Sequence, residues 1–151
     1  MLHLEDFAVG DRFETPAIEV THDDIVEFAR RYDPQPFHLD AEGARASVFG
    51  RLVASGWHTA ALTMRLWVDH GPDVAGGMVG LGVEELRWGA LVPGDRIRLE
   101  AEVLELRPSR SGAPRGVVRI RILTLNQDDA EMQHFVVSML VPAREAPAPE
   151  E

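Results

Sequence analysis

Along this chain the spacing of apolar positions changes from helical to alternating about half-way. Near the start, Val9-Gly10-Asp11 is a turn signal, and Arg12-Phe13-Glu14-Thr15 opens a strand expected to end near Val20. Ile25, Phe28 and Ala29 fall at i, i+3 and i+4, which predicts a helix over 21–32 with one buried face. Thr21 is its N-cap, with Asp24 three residues on, and Asp23 and Asp24 suit the positive end of the helix dipole. Asp33-Pro34-Gln35-Pro36 cannot continue the helix, because each proline pushes its predecessor out of the α region. A stiff, extended loop is therefore expected through Phe37-His38. Asp40 caps a short helix running to about Ala46, with Gly50 at its exit. From Gly56 to His70 the residues Trp57, Ala60, Ala61, Leu62, Met64, Leu66, Trp67 and Val68 are apolar around most of the circumference, which predicts a helix buried on all sides and ended by Gly71-Pro72.

Beyond residue 76 the rhythm is that of strands. Val79–Trp88, Asp95–Leu106, Gly116–Leu125 and Phe135–Val141 alternate or run apolar, separated by turn-rich Val92–Asp95, Pro108–Pro114 and Asn126–Glu131. Strand, helices and then an antiparallel meander predict a single α+β domain over 1–142, in which one curled sheet wraps an apolar helix. Residues 143–151, rich in proline and glutamate, are expected to be a disordered tail. No internal repeat is present.

Composition narrows the chemistry. The chain has 151 residues, and its 15 basic residues are all arginine; cysteine is absent too. Schiff-base catalysis, thiol nucleophiles, disulfides, thiolate metal sites and P-loop mechanisms are thereby excluded. No apolar run approaches the roughly 20 residues that span a bilayer, and the N-terminus lacks the pattern of a signal peptide, so neither a membrane nor export is expected and the cytoplasm is the expected location. The net charge, 15 − 25 = −10, argues against nucleic acid as a partner. The charge is uneven, however: residues 106–127 contain no acid but five arginines, Arg107, Arg110, Arg115, Arg119 and Arg121. Alternation with Val118, Ile120 and Ile122 puts Arg119 and Arg121 on a solvated sheet face, whereas Arg107, Arg110 and Arg115 around a loop are candidates to meet phosphate.

Asp33 and His38 are the candidate acid/base pair, since a carboxylate and an imidazole on a proline-stiffened loop can hold a water or shuttle protons. Spacing alone leaves a structural role open, because Asp before Pro is a common turn residue. A metal site built from His38, Asp40 and His58 or His70 has no recognised ligand spacing, and no metal or other cofactor is expected. Ser55-Gly56 precedes the apolar helix, so the N–H groups of Gly56 and Trp57 stand at a positive helix end, where a ligand carbonyl or oxyanion would be stabilised. Ser55 is expected to cap that helix. It is no serine nucleophile, because Val53-Ala54-Ser55-Gly56-Trp57 lacks two glycines of the Gly-x-Ser-x-Gly elbow.

The run Tyr32-Asp33-Pro34-Gln35-Pro36-Phe37-His38-Leu39-Asp40, followed by Ala44 and Ser47, resembles the hydratase motif of the MaoC-like dehydratases, the (R)-specific enoyl-CoA hydratases. Their pattern is Asp-x-Asn-Pro-x-His and then a small residue. The similarity continues through Phe49–Ala60, Leu86-Arg87-Trp88 and Pro93-Gly94-Asp95, and covers most of residues 5–141.

The resemblance implies a hot-dog fold, a curved antiparallel sheet around a long central helix, paired into a homodimer or a dimer of dimers. It implies reversible hydration of a 2-enoyl-CoA to an (R)-3-hydroxyacyl-CoA, with Asp33 and His38 holding the water and the backbone N–H of Gly56 polarising the thioester carbonyl. Thr59 matches a position near the site often held by a small hydroxyl residue. Trp57 and His58 are expected in the acyl pocket, with Met64 and Trp67 as supporting or core residues. Arg107, Arg110 and Arg115 are the candidates for the CoA phosphates. Two departures stand out: the family's Asn is Gln35 here, one methylene longer, and Ser55 stands where many relatives have His. Neither replaces a member of the acid/base pair. Two other readings of a hot-dog protein are an acyl-CoA thioesterase and a noncatalytic acyl-thioester-binding protein.

Overall fold

A computed structural model describes residues 1–144; the expected tail lies, from residue 145 onward, outside the described residues. A six-stranded antiparallel sheet is the frame. The elements in order are β1 (Arg12–Glu14), β2 (Ile18–Glu19), α1 (His22–Tyr32), α2 (Pro36–Leu39), α3 (Ala41–Arg45), α4 (Gly56–His70), β3 (Val79–Trp88), β4 (Arg96–Pro108), β5 (Arg115–Leu125) and β6 (Glu131–Pro142), after a 3-10 turn at Leu4–Asp6. The strands run β1-β4-β5-β6-β3, with β2 also on β4. This helix on one antiparallel sheet is the hot-dog arrangement.

On β5, Val118, Ile120 and Ile122 are fully buried. Arg119 and Arg121, on the opposite face, are paired rather than merely solvated, with Glu84 at 2.9 Å and Glu102 at 2.7 Å. The buried face carries Ile97, Leu99 and Val103 of β4 and Phe135, Val137 and Met139 of β6, and α4 packs against both strands. Trp67 of α4 is wholly buried, edge-on to Phe13 at 5.8 Å. Its role is core packing.

Four expectations change. The first strand divides at Pro16, which has no N–H for the ladder; Thr15 Oγ1 accepts from Leu99 N–H there at 2.9 Å. The stretch expected to be extended contains a turn of helix, α2, because Pro36 occupies its first position, where a missing N–H costs nothing, and Gln35 takes the extended conformation that a following proline demands. The last strand begins four residues earlier than its apolar run, at Glu131, since Gln133 and His134 break the hydrophobic pattern while keeping the pairing. Finally, α4 is not buried all round. His58, Thr59, Thr63, Leu66 and Trp67 face inward, but Trp57, Met64 and Val68 form an exposed apolar stripe, with Val68 70% exposed. Beside these, β3 is an edge strand with Val79, Leu81 and Val83 exposed.

Candidate active site

The site forms where three backbone decisions meet. Thr21 caps α1 as expected, its Oγ1 accepting from Asp24 N–H at 3.2 Å. Pro34 then stops the helix and leaves Asp33 at its C-cap with φ −152° and ψ 69°. Pro36 starts α2, which carries His38 inward. Asp40, at the junction, caps α3 by accepting from Gly43 N–H at 2.6 Å. The strap 51–55 returns alongside, tied by Val53 N–H to the Phe37 carbonyl at 3.1 Å, and delivers Ser55 and Gly56 to the start of α4.

Asp33 and His38 are brought together: Nε2 of His38 stands 3.4 Å from Oδ2 of Asp33, with the imidazole nearly buried and the carboxylate about a quarter exposed. The other ring nitrogen, Nδ1, lies 2.6 Å from the Val53 carbonyl oxygen. A carbonyl can only accept, so the Nδ1 position carries the proton, and in the neutral ring Nε2 presents a lone pair. In that neutral form two acceptors, Nε2 and the carboxylate, face one small volume. That arrangement suits a molecule with two protons to donate.

Ser55 corrects its expectation. It occupies the N-cap position of α4, but its side chain makes no capping bond. Instead the fully buried hydroxyl donates to Asp33 Oδ2 at 2.7 Å. The first N–H groups of α4 with a backbone acceptor are those of His58 and Thr59, both on the Ser55 carbonyl, which leaves the Gly56 and Trp57 N–H groups at the helix end.

A cavity of about 870 Å³ joins these groups; its walls include Asp33, His38, Gly56, Trp57, Phe37 and Trp88. Its lining is more apolar than polar. Gly56 has to be glycine: a Cβ there would lie 2.3 Å from Cδ2 of Trp88. Trp57 meets Trp88 edge to face at 4.9 Å.

The remaining expected site residues fall elsewhere. Thr59 is buried one turn into α4. His58 is not part of the cavity wall; it stacks on Phe28 at 4.8 Å, and its Nδ1 has no hydrogen-bond partner among the described residues. Burial pushes its imidazole below the ordinary value, against the opposing pull of Asp24. Gln35 shapes the turn through its backbone, N–H to the Asp33 carbonyl at 2.8 Å and carbonyl from the His38 N–H at 3.0 Å. Met64 lies with Trp67 and Val68 around a different depression. Arg107, Arg110 and Arg115 frame a depression of about 400 Å³ at the β4–β5 turn. Trp88 pairs with Gln133, whereas Arg107 is in register with Val117 and so with Leu140, seven residues along β6 and roughly 23 Å away in an extended strand. Within one chain these arginines do not adjoin the Asp33–His38 cavity. Among the described residues, no three His, Asp or Glu side chains gather as a metal site requires, and no helix is long and apolar enough to cross a membrane.

Three parts of this site were not expected from the sequence: the Val53 carbonyl, the Ser55–Asp33 bond and the Trp88 wall. Any backbone carbonyl escapes a motif search. Trp88 had a faint signal, since it closes a strand immediately before Gly89 in a stretch that resembles the family.

The family model of the MaoC-like domain matches residues 6–124, and the chain belongs to the MaoC-like dehydratases. A MaoC-like dehydratase from Rhodospirillum rubrum superposes with a TM-score of 0.92 at 46% identity, covering 97% of this chain and 100% of that one. The (R)-hydratase PhaJ1 of Pseudomonas aeruginosa superposes with a TM-score of 0.71 at 25% identity, over 99% of this chain and 94% of that one. By sequence, the uncharacterized protein YdeM of Bacillus subtilis is 29% identical over 143 residues, which is 93% of this chain and 99% of that protein.

Proposed function

We propose that this protein is a hydro-lyase that reversibly hydrates 2-enoyl-CoA thioesters to (R)-3-hydroxyacyl-CoA. One observation carries the reading: Asp33 Oδ2 and His38 Nε2 converge at 3.4 Å in the same cavity as the Gly56 N–H at the start of α4. The family and the likeness to an (R)-hydratase support it.

A water donating to both acceptors has its oxygen lone pairs turned away from them, toward a bound acyl chain. As that oxygen bonds to the β-carbon, one member of the pair takes a proton from the water and the α-carbon receives one, so H and OH of a single water are added across the double bond. The negative charge that builds on the thioester oxygen meets the Gly56 N–H and the positive end of a 15-residue helix. Ser55 holds the carboxylate in place. This chemistry calls for neither a metal nor a redox cofactor.

The functional unit in this reading is a homodimer. The exposed apolar stripe of α4 (Trp57, Met64, Val68) and the open edge of β3 (Val79, Leu81, Val83) support it, because an apolar edge strand left to solvent is an aggregation hazard that pairing removes. The cytoplasm is the compartment we infer.

The test is hydration of crotonyl-CoA and longer enoyl thioesters, followed by loss of the conjugated absorbance, with free-thiol release measured in parallel. Asp33→Asn and His38→Ala are each expected to lower kcat by about 10²–10⁴-fold, and the double variant little further, because the two act as a unit. Turnover unaffected by both substitutions overturns the mechanism; thiol release without hydration makes the protein a thioesterase.

A further inference from the structure

The cavity wall beside Gly56 is held by a buried chain of hydrogen bonds that hydration itself does not use. Trp88, at the end of β3, pairs with Gln133 of β6. Its indole N–H donates to Gln133 Oε1 at 2.8 Å, and Gln133 Nε2 donates to Thr63 Oγ1 at 3.0 Å. The Thr63 hydroxyl donates to the Thr59 carbonyl at 2.8 Å. Thr124 Oγ1 lies 2.7 Å from Thr63 Oγ1, and because the single Thr63 proton is committed to Thr59, Thr124 is the donor. Every direction in the chain is then set. An indole N–H can only donate, so the amide oxygen of Gln133 faces Trp88 and its NH2 group faces Thr63. Gln133, Thr63 and Thr124 are all buried, so no bulk water replaces a partner that is lost.

What this chain holds is the six-membered part of the indole, flush against the start of α4. Besides Cδ2, Cε3 of Trp88 would lie 2.4 Å from a Cβ on Gly56. A bulge in β3 between Glu84 and Arg87, with Glu85 at φ 55°, sets how the strand enters this contact, and His134 Nδ1–H holds the Glu85 carbonyl at 3.2 Å. The ring is thus fixed by backbone, by an amide and by Trp57.

We propose that Trp88 determines how much bulk the site accepts next to the thioester carbonyl, and that Gln133 is a positioning residue acting through it. The inference rests on the hydratase reading: a carbonyl on the Gly56 N–H has its α-carbon close to the indole. A flat, immobile ring admits a planar, unbranched 2-enoyl group and excludes a methyl branch on the α-carbon, as it excludes a Cβ from Gly56.

The test compares kcat/KM for crotonyl-CoA and 2-methylcrotonyl-CoA in the wild type, Trp88→Leu, Trp88→Phe, Gln133→Met and the Trp88→Leu/Gln133→Met double variant. Dissociation constants for butyryl-CoA and 2-methylbutyryl-CoA are measured alongside. The wild type is expected to prefer the unbranched ester by about tenfold or more, and Trp88→Leu and Gln133→Met to cut that preference below about threefold. The second substitution adds nothing once Trp88 is replaced. Trp88→Phe keeps a ring for packing and provides a folded comparison. In ¹⁵N-labelled protein, Gln133→Met moves the Trp88 indole resonance upfield, a shift that a general loss of stability does not produce. A preference unchanged in active variants overturns the proposal while leaving the hydratase reading intact, and a lost preference without the indole shift overturns the role of Gln133. If the wild type hydrates neither enoyl ester, the hydratase reading fails and the saturated esters decide: a tenfold binding preference lost in the variants upholds the role of Trp88, whereas equal affinities or no binding overturn it.

Discussion

The Ser55 hydroxyl donates a 2.7 Å hydrogen bond to Oδ2 of Asp33, the same oxygen that stands 3.4 Å from the His38 ring. Residues 22 positions apart are thereby joined across the strap and α1. The bond orients the carboxylate, which sits at the C-cap of α1 just before a proline.

Ser55→Ala removes this bond from a wholly buried position. A hydrogen bond to a charged group is worth about 1.5–3 kcal/mol, so kcat for hydration is expected to fall roughly 10–100-fold, with a smaller change in KM. Steady-state kinetics on the enoyl ester check this. An unchanged kcat would leave Ser55 a packing residue only.

Gly56→Ala places a methyl group inside the Trp88 ring. Overpacking of this kind costs about 1–3 kcal/mol. A lower Tm and a loss of hydration are expected together, and the same substitution should cost less stability in a Trp88→Ala background, where the clash is gone. Thermal unfolding of the two single variants, the double variant and the wild type tests it, and a Gly56→Ala protein as stable as wild type would mean that the ring yields easily.

His58 makes stability depend on pH. Burial holds its folded-state imidazole below the ordinary histidine value, so the unfolded chain binds more protons as pH falls through that range. Its contribution is present above about pH 6.5, the ordinary value, and is lost as pH drops toward the depressed one. His58→Phe keeps the stack on Phe28 and abolishes this term. Melting temperatures from pH 5 to 8 should show a flatter acid limb in the variant; identical limbs would exclude His58 as a contributor.

Leu81 on the open edge of β3 is 55% exposed and is expected to be covered by a second copy. Light scattering should give about twice the 16.7 kDa of one chain, and Leu81→Arg should shift the protein toward monomer. A wild-type monomer with full activity would end the dimer reading.

Local pattern carried much of this protein. Thr21, the apolar spacing of Ile25 and Ala29, and the alternation around Arg119 and Arg121 depend on neighbours within a turn or a strand, so helix, sheet and their order were legible. The meeting of Asp33 and His38 was legible too, because both lie on one proline-bounded segment whose short length keeps them close in any compact fold. The limit was reached wherever a partner comes from a distant part of the chain. Whether Ser55 caps its helix or binds Asp33, whether His58 faces the cavity or Phe28, and where Arg107, Arg110 and Arg115 stand relative to the site are all settled by how α1, the strap and the sheet pack. Sequence periodicity likewise reports that α4 is apolar but not which of its faces the sheet covers. Side-chain type and spacing therefore determined the elements and the candidate pair Asp33 and His38, and the tertiary structure alone decided the hydrogen bonds, walls and exposed faces, because those are contacts between segments whose separation along the chain contains no distance information.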